Sequence, residues 1–222
     1  MLKLLYAPTS PYVRKVMVCA HLAGVADQIQ WLDSAANPVR RDARIAAHNP
    51  LAKVPTLILG DGQSLYDSRV ICEYLAHLGG NADLFPAVGP RRWVALAQQA
   101  LGDGLLDAAL LARYERTARP AEHQWPVWRD AQLVKVGACL EQIEQQAGEL
   151  INPLTYPLTD PQGAALAAQA PTIGEVTLGC ALGYLDFRFP ELDWRASHPR
   201  AAQWEAAFRK LPAMQATLPH EA

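Results

Sequence analysis

The pattern of strand and helix signals changes once along this chain, between residues 79 and 90, and that change constrains the fold strongly. Before it, short apolar runs alternate with helical periodicity. The segment itself is rich in Gly and Pro, which break helices and strands alike. After it, strand signals nearly vanish, and long stretches rich in Ala, Leu, Gln and Glu predict helices. The sequence therefore predicts two domains, residues 1–80 and 91–222, joined by a linker over residues 81–90.

The first eighty residues predict the element order β-α-β-α-β-β-α. Two early strands joined through a helix should be parallel, because such crossovers are right-handed. Two later strands flank the turn Gly60-Asp61-Gly62 and predict a hairpin. A mixed four-stranded sheet with flanking helices satisfies this order. The predicted helices begin at Pro11, at Asn37-Pro38 (running to about Ala47) and at Ser68. Gly24 is placed to end the first of them as a left-handed cap.

The rest of the chain predicts an all-α bundle domain. The helical stretches cover residues 91–114, 127–147, 172–187 and 199–210. Residues 148–170 contain several prolines and glycines and resist assignment. Aromatic residues of this half, including Trp93, Trp128 and Tyr184, are interpreted as core or packing residues.

Charge and cysteine usage exclude several classes of protein. The chain has 222 residues, with 20 Lys and Arg against 22 Asp and Glu, so nucleic acid is not an expected partner. The longest apolar run is far shorter than a membrane span, and the N-terminal residues do not resemble a signal peptide. The four cysteines are scattered, and neither they nor the six histidines show metal-ligand spacing. We expect a cytoplasmic protein with reduced, mostly buried thiols and no metal site.

Three short segments of the first domain carry polar groups suited to binding. Ser10 before Pro11 is typical of a helix N-cap, and its hydroxyl either only caps the helix or also helps to hold an anion. Pro55 precedes a strand. An ordinary trans bond is the common case there, whereas a cis Val54–Pro55 bond would turn the backbone of Val54 toward a peptide-like ligand.

The third segment is Asp67-Ser68, between a strand and a helix, where either residue can be the cap. The backbone amides and the Ser68 hydroxyl could hold a carboxylate, with an ammonium group beside Asp67. A ligand with an amino-acid end would satisfy both residues.

Together these segments resemble the glutathione S-transferase family. The resemblance rests on Thr-Ser-Pro-Tyr-Val-Arg-Lys at 9–15, Asn-Pro-Leu-Ala-Lys-Val-Pro at 49–55 and Asp-Ser at 67–68, and it covers nearly the whole chain. It implies a thioredoxin-like first domain followed by a helical domain. The run that begins Thr172-Ile173-Gly174-Glu175 looks like a helix of one bacterial branch. Locally, Thr172 and Glu175 also fit a capping box.

The resemblance also implies a ligand and roles for the site residues. Glutathione would be the co-substrate, with the family's cis-proline at Pro55 and the Val54 backbone pairing with its cysteinyl part. Asp67 and Ser68 would receive its γ-glutamyl end. Ser10 takes the position of the activating hydroxyl in the serine-type classes, although Thr9 is a rival. The glycyl carboxylate has three candidate partners: Arg40, Arg41 and His48.

By resemblance, the protein is a transferase that activates the glutathione thiolate for attack on a small hydrophobic electrophile, as in detoxification. Relatives with Cys in place of Ser10 carry out disulfide exchange, so Ser10 favours conjugation here. The alternatives are glutathione-dependent peroxide reduction or isomerisation, and a non-catalytic binding protein. The electrophile pocket should lie between the domains near Pro8, Tyr12 and Tyr114, and a homodimer is implied. The electrophile itself stays open.

Overall fold

A computed structural model describes residues 1–150 and 170–221. The strands are β1 (Leu2–Tyr6), β2 (Ile29–Asp33), β3 (Thr56–Ile58) and β4 (Ser64–Leu65). The helices of the first eighty residues are α1 (Pro11–Leu22), α2 (Ala43–Ala46) and α3 (Ser68–Leu78). The remaining helices are α4 (Pro90–Thr117), α5 (Pro126–Gln146), α6 (Ile173–Arg188), α7 (Trp194–Ser197), α8 (Pro199–Phe208) and α9 (Pro212–Gln215). The unassigned stretch at 148–170 falls mostly outside the described residues.

The strands form one mixed sheet in the order β2-β1-β3-β4. The pair β1 and β2 is parallel, whereas β3 runs antiparallel to both β1 and β4. The predicted four-stranded mixed sheet and its β-α-β-α-β-β-α order are therefore confirmed, as is the helical character of the second half. This is the thioredoxin-like arrangement that the resemblance implied.

Helix α1 begins and ends where its local sequence dictates. Ser10 is the N-cap, and its hydroxyl oxygen accepts a hydrogen bond from the Val13 amide at 3.3 Å. Pro11 occupies the first helical position, where no amide donor is needed. After the helix, Gly24 has φ +69°, a conformation that costs glycine little, and it lets the following amide bond back to Ala20. The predicted left-handed glycine cap is confirmed.

The second helix is present and ends beside Ala47 as predicted, but its predicted start at Asn37-Pro38 is wrong. The Asn37 side chain accepts hydrogen bonds from the amides of Val39 and Arg40, both at 2.9 Å, and so forms a local turn that competes with helix. Helix α2 starts only after Asp42, whose carboxylate caps it, and covers four residues. The Asn-Pro pair therefore marks a turn rather than a helix start.

In the helical half, α4 packs on α6 at very short range. Gly102 and Gly174 allow this approach, because an added Cβ would lie 2.8 Å from the Thr177 methyl group or from the Ala95 carbonyl. The predicted capping box is present at the start of α6, where the Thr172 amide donates to Glu175 at 2.8 Å. The buried apolar residues of these helices, such as Leu105 and Leu182, belong to one hydrophobic core that also includes residues of the first half such as Leu4 and Val16.

Burial confirms one prediction about the aromatic residues of the second half and contradicts another. Trp93 is 68% exposed, so its assignment to the core of this chain is wrong: it lies on the outer side of the first turns of α4. Tyr184 is buried, as predicted. All four cysteines are free and three of them are buried, and burial raises the pKa of Cys19, Cys139 and Cys180.

Candidate functional site

The sheet brings the three predicted segments to one edge. Leu5 near the end of β1 pairs with Thr56 at the start of β3, and Leu57 pairs with Leu65 at the end of β4. The residues just after β1, just before β3 and just after β4 therefore leave the sheet at the same end. This register brings three groups of residues to that edge: Ser10, the Val54–Pro55 pair, and Asp67 with Ser68.

Ser10 lies half-buried at the N-terminus of α1. Its hydroxyl oxygen accepts the amide of Val13, and its own amide donates to the Ala7 carbonyl at 3.0 Å. The hydroxyl proton takes no part in the cap and is available to a further acceptor. A helix N-terminus also stabilises negative charge in its vicinity. Capping and anion binding are therefore compatible at this residue.

The segment before β3 is held by two buried polar side chains. Asn49 is 1% exposed and donates to the Lys53 carbonyl at 3.2 Å and to the Thr56 hydroxyl at 3.0 Å. Thr56 in turn donates to the Lys53 carbonyl at 2.8 Å. The Val54–Pro55 peptide bond is cis, and Val54 is half-buried. Asn49 opens the motif at 49–55, but the sequence did not predict its role: the hydrogen bonds that it donates to Lys53 and Thr56 appear only in the fold.

Asp67 is the cap of α3, which settles the choice between Asp67 and Ser68. One carboxylate oxygen accepts the Arg69 amide at 2.9 Å, and the other accepts the Arg69 guanidinium at 3.0 Å. Partial burial favours the protonated form, but the bonds from Arg69 outweigh it and lower the pKa of Asp67. The side chain remains about half exposed, and Ser68 is buried beside it.

Sequence reasoning missed a buried ion pair behind this edge. Lys15 on α1 is fully buried, and its ammonium group contacts the carboxylate of Asp103 on α4 at 2.6 Å. Arg69 lies 3.8 Å from the other oxygen of Asp103, which has no hydrogen-bond partner. Burial raises the pKa of Asp103, although Lys15 opposes that shift. The pair connects the first helix to the helical half across 88 residues of sequence.

The electrophile pocket was predicted near Pro8, Tyr12 and Tyr114. Tyr184, which was predicted only as a core residue, interacts electrostatically with both Tyr12 and Tyr114. The Tyr12 hydroxyl donates to Asp107 on α4, and burial together with this bond raises the Tyr12 pKa far above its usual value. Burial also raises the pKa of Tyr184 to about 12 and that of Tyr114 in the same direction. All three rings therefore stay neutral at physiological pH.

The three candidates for a carboxylate ligand near α2 have different partners. Arg41 donates to the Pro50 carbonyl at 3.3 Å, in the segment that leads to Pro55. The Arg40 amide donates to Asn37, and the His48 ring nitrogen Nδ1 lies 3.4 Å from the Ser64 hydroxyl. Of these three side chains, Arg41 is bonded to the segment that carries the cis-proline.

Within residues 1–150 and 170–221, no three His, Cys, Asp or Glu side chains are grouped so that they could hold a metal ion. None of the helices built from the same residues is long and apolar enough to cross a bilayer.

Comparison with known proteins agrees with this geometry. A family model described as the glutathione S-transferase N-terminal domain matches residues 9–78, and one for the C-terminal domain matches residues 126–207. An uncharacterized GST-like protein, YibF of Escherichia coli K12, is 29% identical over 202 residues, which are 89% of each chain.

Solved structures are similar over the full length. A glutathione transferase family member from Pseudomonas fluorescens Pf-5 with bound glutathione has a TM-score of 0.88 at 39% identity, covering 99% of this chain and 100% of that one. Its complex with S-(propanoic acid)-glutathione gives 0.83 at 38%, again over 99% and 100%. A glutathione S-transferase from Methylobacillus flagellatus KT with glutathione bound gives 0.83 at 35%, with the same coverage. The chain therefore belongs to the glutathione S-transferase family.

Proposed function

We propose that this protein is a glutathione transferase that activates the glutathione thiolate for attack on a small electrophile. The observation that carries the proposal is the meeting of Ser10, Val54–Pro55 and Asp67-Ser68 at one end of the sheet, beside the N-terminus of α1. The glutathione bound in two similar structures supports the choice of ligand.

The charges and backbone groups at this edge match the parts of the tripeptide. The γ-glutamyl ammonium group would share the half-exposed Asp67 carboxylate with Arg69, and its carboxylate would lie at the first turn of α3 beside Ser68. The Val54 backbone would pair with the cysteinyl part. Arg41 is our choice for the glycyl carboxylate, because it already reaches the 49–55 segment.

Thiolate formation needs only modest help from Ser10 and α1. A free thiol with a pKa of about 8.5 is a few per cent ionised at neutral pH. Each tenfold gain in thiolate needs about 1.4 kcal/mol of preference for the anion. A helix N-terminus contributes about 0.3–1 kcal/mol, and a hydrogen bond donated to a charged acceptor about 1.5–3 kcal/mol. The hydroxyl and the helix together suffice for a thiolate at neutral pH.

Conjugation is favoured over disulfide exchange by the state of the protein's own thiols. Cys19 is the cysteine of α1 and is fully buried, and burial raises its pKa. A thiol in that state is a poor nucleophile. The sulfur that reacts would therefore be that of bound glutathione, and the product would be a conjugate of glutathione with the electrophile.

The test compares two substitutions at adjacent hydroxyls, Ser10→Gly and Thr9→Ala. Glycine keeps most of the capping preference, so Ser10→Gly removes the hydroxyl with little loss of stability. We expect it to raise the pKa of bound glutathione, measured by thiolate absorbance, and to lower turnover of an aryl halide about 10- to 100-fold. Glutathione affinity should change little, and Thr9→Ala should alter neither quantity.

Three outcomes decide against parts of this proposal. Unchanged activity in Ser10→Gly, with loss in Thr9→Ala, would transfer the role to Thr9. Retention on immobilised glutathione without turnover of any electrophile in a panel would identify a binding protein. Turnover of peroxides or of an isomerisation substrate in place of electrophile conjugation would assign the same thiolate to a different reaction.

The assembly and the domain limits belong to the same proposal. We propose a homodimer, supported by exposed apolar side chains on α3 and at the start of α4: Val70, Leu78, Trp93 and Val94. Sedimentation of the wild-type protein at twice the mass of one chain would support it, and a monomer at micromolar concentration would oppose it. We also propose that the domains cover residues 1–80 and 91–222, with the linker at 81–90.

A further inference from the structure

Beyond the tyrosines of the electrophile region, the end of α6 carries a fixed arginine. Arg188 is the last residue of α6, and its side chain is 12% exposed. The guanidinium group lies 4.1 Å from the centre of the Phe187 ring, within cation–π distance. Both of its terminal nitrogens contact the two carboxylate oxygens of Glu221, the second pair at 3.3 Å. The arginine thus already binds a carboxylate in the two-pronged geometry typical of this side chain.

The two partners of this ion pair are held very differently. Arg188 is nearly covered, whereas the Glu221 side chain is 69% exposed and follows a short segment after α9. Because Glu221 is exposed, water solvates its carboxylate when another carboxylate takes its place on Arg188. The guanidinium group would keep its position and its preference for a carboxylate if Glu221 left.

The arginine lies beside the proposed electrophile region. The positive charges of Arg113 on α4 and Arg188 both reach Tyr114, Tyr184 and Glu221 and lower the pKa of each group, although burial outweighs them at the tyrosines. Tyr184 and Arg188 are four residues apart on α6, so their side chains lie on the same face of that helix. Tyr184 also interacts electrostatically with Tyr12, two residues after Ser10 on the first turn of α1. Arg188 therefore lies on the helix face that carries Tyr184.

We propose that Arg188, with Arg113 beside it, binds the carboxylate of an acidic electrophile, and that Glu221 occupies this position when no such substrate is bound. The inference rests on the proposed function and names its substrate class: small electrophiles that carry a carboxylate at the end remote from the reacting carbon. Glu221 is then an internal competitor of the substrate. Within this one ion pair, Arg188 would strengthen binding of the acidic substrate and Glu221 would weaken it.

The test uses a pair of aryl halides that differ in one charge, 4-chloro-3-nitrobenzoate and its methyl ester. In both, the thiolate attacks the carbon that bears chlorine, a C–S bond forms, and chloride leaves with the electron pair of the C–Cl bond. Each enzymatic kcat/KM is divided by the uncatalysed rate with glutathione, which removes the difference in intrinsic reactivity. The corrected kcat/KM for the ester then measures transferase activity itself. The ratio of the corrected kcat/KM for the acid to that for the ester measures how much Arg188 contributes through the substrate carboxylate.

We expect Arg188→Gln to lower kcat/KM for the acid about tenfold and to leave the ester unchanged. Glu221→Gln should raise kcat/KM for the acid two- to fivefold through a lower KM, because the competing carboxylate is gone. Arg116→Gln is the matched control, since Arg116 pairs with Glu191 at 3.3 Å, and both side chains there are about half exposed. Arg116→Gln should leave kcat/KM unchanged for both the acid and the ester.

Equal effects of Arg188→Gln on acid and ester, or a loss of kcat/KM with Glu221→Gln as large as with Arg188→Gln, would overturn the proposal and leave the ion pair with a structural role alone. A second measurement does not depend on turnover: calorimetric binding of the chemically made conjugates, the acid and its methyl ester. Arg188→Gln should weaken binding of the acid alone. If wild type fails to turn over the ester but this split in binding persists, the transferase proposal fails and the carboxylate site stands.

Discussion

The segment at 49–56 and the contact between α1 and α4 both bury polar side chains, but different parts of the chain satisfy them. In the segment, Asn49 bonds to Lys53 and Thr56, four and seven residues away. At the contact, Lys15 depends on Asp103, which is 88 residues distant. The hydrogen bonds of Asn49 form as soon as the 49–56 segment folds. Lys15 meets the carboxylate of Asp103 only after α1 has packed against α4. The contact is therefore where single substitutions should cost most.

The largest effect is expected from removing one charge of the buried pair. Lys15→Met should lower the free energy of unfolding by about 3–5 kcal/mol, because it leaves Asp103 buried without its closest partner. The loss should be smaller at acidic pH. Burial raises the pKa of Asp103 in the folded protein above its value in the unfolded chain. The contribution of Asp103 to the free energy of unfolding is therefore most favourable below the unfolded pKa, and it is lost as the pH rises through the folded pKa.

Arg69→Met is the matched control for this experiment, since its side chain is 59% exposed and pairs with the same carboxylate at 3.8 Å. Chemical denaturation should find a cost below about 1 kcal/mol. The double variant Lys15→Met/Asp103→Leu should recover most of the stability. Equal costs for Lys15→Met and Arg69→Met would remove the distinction between the buried and the exposed cation.

A second, smaller effect concerns the close packing of α4 on α6. In Gly102→Ala the new Cβ would lie 2.8 Å from the Thr177 methyl group and 3.1 Å from its backbone carbon. Thr177 cannot easily turn away, because its hydroxyl donates to the Ile173 carbonyl at 2.7 Å. We expect a loss of about 1–3 kcal/mol, visible as a lower melting temperature.

Gly104→Ala lies two residues further on the same helix, and its Cβ would meet nothing within 4 Å. It should stabilise the protein by about 0.5–1 kcal/mol, as expected when alanine replaces glycine inside a helix. If both substitutions stabilised the protein, the short approach of α4 and α6 would not be a constraint on the fold.

The last effect is absent at neutral pH and appears only at alkaline pH, as a change in the slope of stability against pH. Burial raises the pKa of Tyr184 to about 12, whereas in the unfolded chain it ionises near 10. The stability from this neutral tyrosine is complete below about pH 10 and is lost as the pH rises toward the folded value. Tyr184→Phe should therefore reduce the loss of unfolding free energy between about pH 10 and 12.

Phe189→Leu serves as the control here, since the Phe189 ring contacts that of Tyr184 with centroids 6.5 Å apart. It should lower stability at every pH and leave the slope of the wild type unchanged, because it removes no titrating group. Denaturation curves at several alkaline pH values measure both quantities. An identical slope in Tyr184→Phe and wild type would contradict the assignment.

The predictions from sequence were accurate where a few neighbouring residues decide the structure. The N-cap at Ser10, the glycine cap at Gly24 and the capping box of Thr172 and Glu175 each need only residues within one or two turns. The failure at Asn37 is also local: a helix start and a side-chain turn use the same residue types, and pattern alone does not choose between them.

The sequence by itself determined the order of elements, their caps and the three polar segments, because periodicity, turn residues and capping act over short distances. Only the tertiary structure decided that Lys15 meets Asp103, that α6 approaches α4 at its glycines, and that Arg188 holds Glu221 beside the tyrosines. Such contacts join residues far apart in sequence, and each is fixed by how the helices pack. A lysine or an arginine looks the same in the sequence whether packing buries it or leaves it in water.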